Sequence, residues 1–84
     1  MSELESLRKK IIYRANYRGT KEMDLLLSNF VDKYVNTFNE RQLLDLYYFL
    51  NLEDDIIYDY YQKKNKNNKI KDNEVVKLFY EFKI

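Results

Sequence analysis

Arg18 and Glu22 carry opposite charges on the two sides of Gly19, the only glycine in this chain of 84 residues. A guanidinium donates planar, paired hydrogen bonds, so Arg18 suits a carboxylate, a phosphate or a group of carbonyl oxygens. Because glycine has no Cβ, a partner backbone can approach closely between the two charges. The same spacing also fits a purely structural role, since Glu22 can bond back to the amide of a helix cap at Gly19. From spacing alone, the structural interpretation is favoured.

A basic stripe precedes this segment. Lys10, Arg14 and Arg18 stand four residues apart, so on a helix they line one edge, with Tyr13 and Tyr17 beside them. Such a stripe could bind an acidic partner, and an ordinary solvated helix face explains it equally well. The residues themselves leave both interpretations open.

The composition excludes most familiar enzyme chemistry. The chain has no cysteine and no histidine, which removes disulfides, thiolate or imidazole metal sites and the usual serine or cysteine catalysis. Neighbouring carboxylates, such as Glu22 with Asp24, could act as a general acid and base only within a cleft that shifts their protonation. A small helical domain rarely forms such a cleft, so we do not expect an enzyme.

The charge balance and the short apolar runs limit the partners. Lysine and arginine total 15 against 14 acidic residues, a net charge of +1, which argues against nucleic-acid or membrane binding driven by overall charge. The apolar runs are far shorter than the roughly 20 residues of a membrane span, so we expect no membrane insertion. Glu3 and Glu5 argue against a targeting peptide at the start, which predicts a cytoplasmic protein.

Helical spacing of the apolar residues predicts a compact all-α bundle of five helices, forming a single domain over residues 1–84. With no proline and one glycine, little interrupts helix formation. The apolar residues recur every three or four positions, which places helices at residues 3–17, 20–35, 40–50, 55–63 and 73–83. The second helix has the broadest apolar face, so we expect it to be central.

Polar residues between the helices indicate where several of them start or stop. Asn39 and Gln42 have the spacing of a capping box at the third helix. We predict that Asn51 ends that helix in a left-handed conformation and that Asp54 caps the fourth helix. The polar, basic stretch at 63–71 predicts an exposed loop.

Nine of the 84 residues are tyrosines, and their positions in the apolar pattern suggest different roles. Those on apolar stripes should fill the core with the ring and keep the hydroxyl at the rim; they are Tyr34, Tyr47 and Tyr60. The other candidates are interface anchors, because tyrosine offers contact area at a low entropic cost; they are Tyr13, Tyr17, Tyr48, Tyr58 and Tyr61.

The segment from Tyr17 to Leu27 reads Tyr-Arg-Gly-Thr-Lys-Glu-Met-Asp-Leu-Leu-Leu and resembles the Arg-Gly-x-x-Glu signature of the succinate dehydrogenase assembly factors. These are small flavinylation proteins of bacteria and mitochondria. Further on, Asp54 and the residues at 57–60 are similar to the Asp-Pro-Asp-Leu-Tyr-Asp-Trp segment of that family. The chain departs from this second motif, with Asp55 at the usual proline, Ile56 at an aspartate and Tyr60 at the tryptophan.

The resemblance implies a bacterial, cytoplasmic helper protein that is a monomer when free. It would bind the flavoprotein subunit of succinate dehydrogenase, with that of fumarate reductase as an alternative client, and promote covalent attachment of FAD to the client's own histidine. The helper would hold no cofactor or metal stably and would supply no catalytic group. The residues implied in client binding are Arg14, Tyr17, Arg18, Gly19, Lys21, Glu22, Asp24, Asp54 and Tyr58.

A second hypothesis comes from the basic residues alone. It is a small helical regulatory module that binds nucleic acid or an acidic protein through Lys10, Arg14, Arg18 and the basic stretch that begins at Lys63. Binding that weakens steeply with salt would favour this alternative.

Overall fold

Five helices account for the regular structure of the residues that the computed structural model describes, which are 2–62 and 68–83. The radius of gyration is 12.0 Å, close to the about 12 Å expected for a folded chain of this length. The prediction of a compact all-α bundle is therefore confirmed. The helices are α1 Glu3–Asn16, α2 Lys21–Tyr34, α3 Glu40–Leu50, α4 Asp54–Tyr61 and α5 Glu74–Glu81.

The core lies between the helices and is built from apolar and aromatic side chains. The α2 helix supplies five of its buried residues, more than any other helix, as its broad apolar face predicts. Phe30 of α2 packs edge-on against Phe79 and Phe82, with ring centroids 5.3 and 5.2 Å away. Edge-to-face pairs of this kind add to the stabilisation that comes from burying the rings.

The start of α3 is capped as its sequence predicts, whereas its end is not. The side chain of Asn39 accepts from the amide of Gln42 at 2.9 Å, and the side chain of Gln42 accepts from the amide of Asn39 at 2.9 Å. The prediction of a left-handed stop at Asn51 is wrong, because this residue has φ −83° and ψ −6°. Its amide donates to Tyr47, and that of Leu52 to Phe49, so one further turn continues the helix toward α4.

Most of the tyrosines lie where the apolar pattern places them. Tyr34, Tyr47 and Tyr60 are half-buried against the core. Tyr13, Tyr17, Tyr48 and Tyr58 are exposed. Tyr61 is wrongly predicted as an interface anchor, because it is half-buried and its hydroxyl donates to the carbonyl of Phe82 at 2.8 Å.

The stretch at 63–71 is predicted to be an exposed loop, and the structure describes residues 68–71 of it. Residues 63–67, and with them the predicted end of the fourth helix at residue 63, lie outside the described residues. Ile70 is buried in the core, so this part of the prediction is wrong. The ammonium of Lys71 lies 4.4 Å from the centroid of the Tyr48 ring, a cation–π contact across the surface of α3.

None of the helices in the described part of the chain is long and apolar enough to cross a membrane.

Candidate functional site

The side chain of Arg18 points into the protein and joins three elements. Its Nη1 donates to the carbonyl oxygens of Leu50 at 2.8 Å and Arg14 at 3.1 Å, and its Nη2 donates to Leu52 at 3.2 Å. Its Nε and Nη2 lie 2.8 and 2.6 Å from Oδ1 of Asp54. Only 7% of the side chain is exposed. Arg18 is therefore not part of an exposed basic stripe with Lys10 and Arg14, although carboxylate and carbonyl oxygens are the acceptors that its chemistry predicts.

Helix dipoles explain why a cation is stable in this position. Leu50 is the last residue of α3, where free carbonyl groups carry partial negative charge, and Asp54 is the first residue of α4, where free amides carry partial positive charge. The guanidinium of Arg18 thus meets the negative end of one helix, and the carboxylate of Asp54 meets the positive end of the next. The pair ties the end of α1 to the connection between α3 and α4.

Asp54 completes this contact by binding Gly19 as well as Arg18. Its Oδ2 accepts from the amide of Gly19 at 2.8 Å, and 28% of its side chain is exposed. The prediction that Asp54 caps α4 is wrong: the cap position is held by Glu53, without a side-chain hydrogen bond. The carboxylate of Asp54 instead accepts from a neighbouring segment of the chain.

The need for glycine at position 19 follows from this hydrogen bond. A Cβ built on Gly19 would lie 3.1 Å from Oδ2 of Asp54, closer than ordinary van der Waals contact. The oxygen must stay near in order to accept from the amide of Gly19, and Arg18 holds it there. A close approach therefore favours glycine here, but the approaching group is a side chain of the same chain and not the backbone of a partner.

The predicted capping box at Gly19 is not formed. Thr20 is the cap of α2, and its hydroxyl accepts from the amide of Met23 at 3.2 Å, which places Glu22 at the second helical position. Asp24 turns back instead, and its Oδ1 accepts from the amide of Arg18 at 2.6 Å. Threonine is a preferred cap because its hydroxyl can accept from the helix, so the sequence alone could have predicted Thr20 as the cap.

The contacts of Arg18 and its neighbours form one connected set, which we call the Arg18 clasp. It consists of Arg18, Gly19, Asp24, Asp54 and the carbonyls of Arg14, Leu50 and Leu52.

A surface groove of about 430 Å³ opens beside the clasp, between the starts of α2 and α4. We call it the α2–α4 groove. Its rim carries the carboxylates of Glu22 and Asp55, both exposed, and the ring of Tyr58, which is 39% exposed. The groove therefore combines apolar surface with negative charge. Its lining residues are Thr20, Glu22, Met23, Asp54, Asp55 and Tyr58.

The structure divides the nine candidate residues into three groups. The clasp brings together Arg18, Gly19, Asp24 and Asp54, and the α2–α4 groove brings together Glu22, Asp54 and Tyr58. The remaining side chains are exposed on α1, on the turn after it and at the start of α2; they belong to Arg14, Tyr17 and Lys21.

Sequence reasoning missed the carbonyl groups of Leu50 and Leu52, which accept from Arg18. A main-chain acceptor has no side-chain signature, although every helix end exposes carbonyls that need a partner. Among the described residues, no group of three or more acidic side chains is arranged to hold a metal ion.

Comparison with known proteins identifies the family. A family model described as the flavinator of succinate dehydrogenase matches residues 9–83. The chain is similar to succinate dehydrogenase assembly factor 2, mitochondrial, of Dictyostelium discoideum, with 37% identity over 93% of this chain and 55% of the relative. The protein of that name from Scheffersomyces stipitis is 37% identical over 93% of this chain and 55% of its own length. That of Saccharomyces cerevisiae is 38% identical over 82% and 43%.

The prediction of a bacterial cytoplasmic protein is wrong. The relatives are named as mitochondrial proteins and come from eukaryotes. Glu3 and Glu5, on which the prediction of a cytoplasmic protein depended, lie in the first turn of α1, where carboxylates face the positive end of the helix. They have a structural explanation within the fold and carry no information about the compartment.

The chain spans about half the length of the curated relatives it matches. The match still covers most of this chain, and it includes both segments that suggested the resemblance. It does not favour the alternative of a module that binds nucleic acid. The chain belongs to the family of succinate dehydrogenase flavinators.

Proposed function

We propose that this protein binds the flavoprotein subunit of succinate dehydrogenase and promotes the covalent attachment of FAD to it. The family match over residues 9–83 is the observation that carries this proposal. FAD is a reactant on the client, and the receiving side chain belongs to the client as well. The protein itself acts as an assembly factor and not as an enzyme.

The α2–α4 groove is the proposed contact surface for the client. Glu22 and Tyr58 stand on its rim with exposed side chains, and no hydrogen bond or ion pair within the described residues occupies the carboxylate of Glu22. A carboxylate beside an aromatic ring can bind a cationic side chain together with its apolar stem. Lys21 is exposed at the start of α2, directly before Glu22 in the sequence, and is proposed as a peripheral contact.

We propose that the Arg18 clasp affects the client indirectly, by fixing the shape of the α2–α4 groove. It holds the turn before α2 against the start of α4, and these two helix starts carry Glu22 and Tyr58. Arg18, Gly19, Asp24 and Asp54 are therefore positioning residues. A rigid surface of this kind can favour the client conformation in which FAD and its attachment site are correctly placed, and positioning alone lowers a barrier by several kcal/mol.

The test compares Glu22→Ala with wild type in a reconstituted reaction. The flavoprotein subunit without covalent flavin is incubated with FAD and each variant, and covalent attachment is read as in-gel flavin fluorescence. We expect wild type to raise the signal and Glu22→Ala to lower that gain, because the groove loses an exposed carboxylate while no hydrogen bond or ion pair within the described residues is broken.

Glu40→Ala is the matched control. Glu40 is also exposed and also lies in the first turn of a helix, so both substitutions remove the same favourable interaction with a helix dipole. If Glu22→Ala and Glu40→Ala promote attachment equally well, Glu22 is not a client contact. If wild type itself leaves the signal unchanged, the proposed function is wrong.

A further inference from the structure

A second groove lies between α1 and α3 and has the opposite charge. It measures about 500 Å³ and is lined by three cations and two tyrosines; they are Lys9, Lys10, Tyr13, Arg14 and Tyr47. No acidic side chain belongs to this lining. We call this surface the α1–α3 groove.

Two exposed rings extend the groove toward the Arg18 clasp. Tyr13 is 63% exposed and Tyr17 is 71% exposed, and their ring centroids lie 4.4 Å apart. The carbonyl of Arg14 accepts from Arg18, so the groove and the clasp share a residue. Adjacent exposed rings offer a partner a large contact area that is already partly ordered by the contact between them.

Two of the three cations of this groove, Lys10 and Arg14, have no acidic partner among the described residues. They stand four residues apart on α1, where like charges repel and destabilise the helix slightly. A bound anion would relieve this repulsion, because it would supply the negative charge that the described residues do not place beside Lys10 and Arg14.

The anion that fits best is part of a polypeptide. Nucleic acids bind mainly through their many phosphates to strongly basic surfaces, whereas the chain as a whole has a net charge of only +1. An acidic protein segment can keep its carboxylates on the cations and its apolar side chains on the tyrosines.

We propose that the α1–α3 groove binds an acidic segment of the client flavoprotein, with carboxylates on Lys10 and Arg14 and an apolar side chain against Tyr13 and Tyr17. This inference rests on the proposed function. The client is thereby held on two surfaces of opposite charge, the basic α1–α3 groove and the acidic rim of the α2–α4 groove. Two such contacts set the orientation in which the client docks, because a rotated client would bring like charges together.

The experiment measures association of the flavoprotein subunit with the double variant Lys10→Glu/Arg14→Glu. Rates are recorded by biolayer interferometry at about 50 and about 300 mM salt, between which the screening length falls from about 14 to about 6 Å. At the lower salt we expect association to slow by about tenfold and to lose most of its salt dependence, because exposed interface charges act mainly on the association rate. The neutral variant Lys10→Gln/Arg14→Gln should lie between the two.

The control is Lys77→Glu/Lys83→Glu, which changes the net charge equally on and just after α5. If the charge-reversed groove variant associates like wild type, or if the control is slowed as much, the inference is wrong while the proposed function stands. Tighter binding of a single-stranded DNA than of the client would also overturn it. If wild type does not bind the client at all, the inference and the proposed function both fail.

Discussion

Arg18 and Asp54 should be strongly coupled in stability, and a double-mutant cycle can measure this. Arg18→Met keeps the length of the side chain but removes every donor of the guanidinium, leaving the carbonyls of Leu50 and Leu52 without that partner. Because only 7% of the Arg18 side chain is exposed, water cannot readily replace these bonds. Removing one partner of such a buried pair costs about 3–5 kcal/mol.

Asp54→Asn should cost less than Arg18→Met. Its amide oxygen can still accept one hydrogen bond, and the 28% exposure of Asp54 allows water to compensate in part, so we expect about 1–2 kcal/mol. In the double variant the two losses should not add, since each single change already breaks the same contact. The expected coupling energy is about 1–3 kcal/mol.

The assay is urea denaturation followed by far-UV circular dichroism, with thermal melting as a second measurement. A loss of 3–5 kcal/mol corresponds to a fall in melting temperature of about 12–40 °C for a domain of this size. The exposed pair Arg41 and Asp45 serves as the control, because its atoms lie 3.8 Å apart and Arg41 is 85% exposed. Its cycle should give a coupling below about 0.5 kcal/mol.

The result that would refute this reasoning is additivity. If the losses at Arg18 and Asp54 add to within about 0.5 kcal/mol, the two residues do not act as one unit. The clasp would then be a set of independent contacts.

Two further predictions concern neighbouring features. Gly19→Ala should destabilise wild type by about 1 kcal/mol, because the new Cβ meets Asp54; in an Asp54→Ala background the same change should stabilise by about 0.4–1 kcal/mol, and equal effects in both backgrounds would contradict the steric explanation. Asn39→Ala should lower the free energy of unfolding by about 1 kcal/mol, since it opens the capping box with Gln42, and client binding measured with folded protein should not change.

The parts of the fold that could be predicted are those that depend on neighbours in sequence. A helix follows from the spacing of its own apolar residues, and the capping box at Asn39 follows from a glutamine three positions later. Where a local alternative existed, the prediction could still choose the wrong residue. The spacing to Glu22 favours a cap at Gly19, but Thr20 is the cap, because its hydroxyl accepts from the helix and glycine has no side-chain oxygen.

The clasp could not be predicted because its partners are distant along the chain. Arg18 and Asp54 are separated by 36 residues, and two of the other acceptors are main-chain oxygens with no signature of their own. The family resemblance singled out both residues, but as members of two separate motifs. The packing of the helices, including that of α1 against α3, brings the two motifs together, and packing depends on the whole core.

This arrangement changes what a loss of activity would mean at each position of the Arg-Gly-x-x-Glu signature. A side chain at Gly19 places its Cβ 3.1 Å from Oδ2 of Asp54, so a Gly19→Arg variant disturbs the carboxylate that binds Arg18 along with any client contact that it changes. Its inactivity would not identify a docking residue. The carboxylate of Glu22 makes no hydrogen bond or ion pair within the described residues, so its removal breaks none of the bonds of the clasp. Substitution of Glu22 therefore tests docking, whereas substitution of Arg18, Gly19 or Asp54 tests the scaffold on which docking depends.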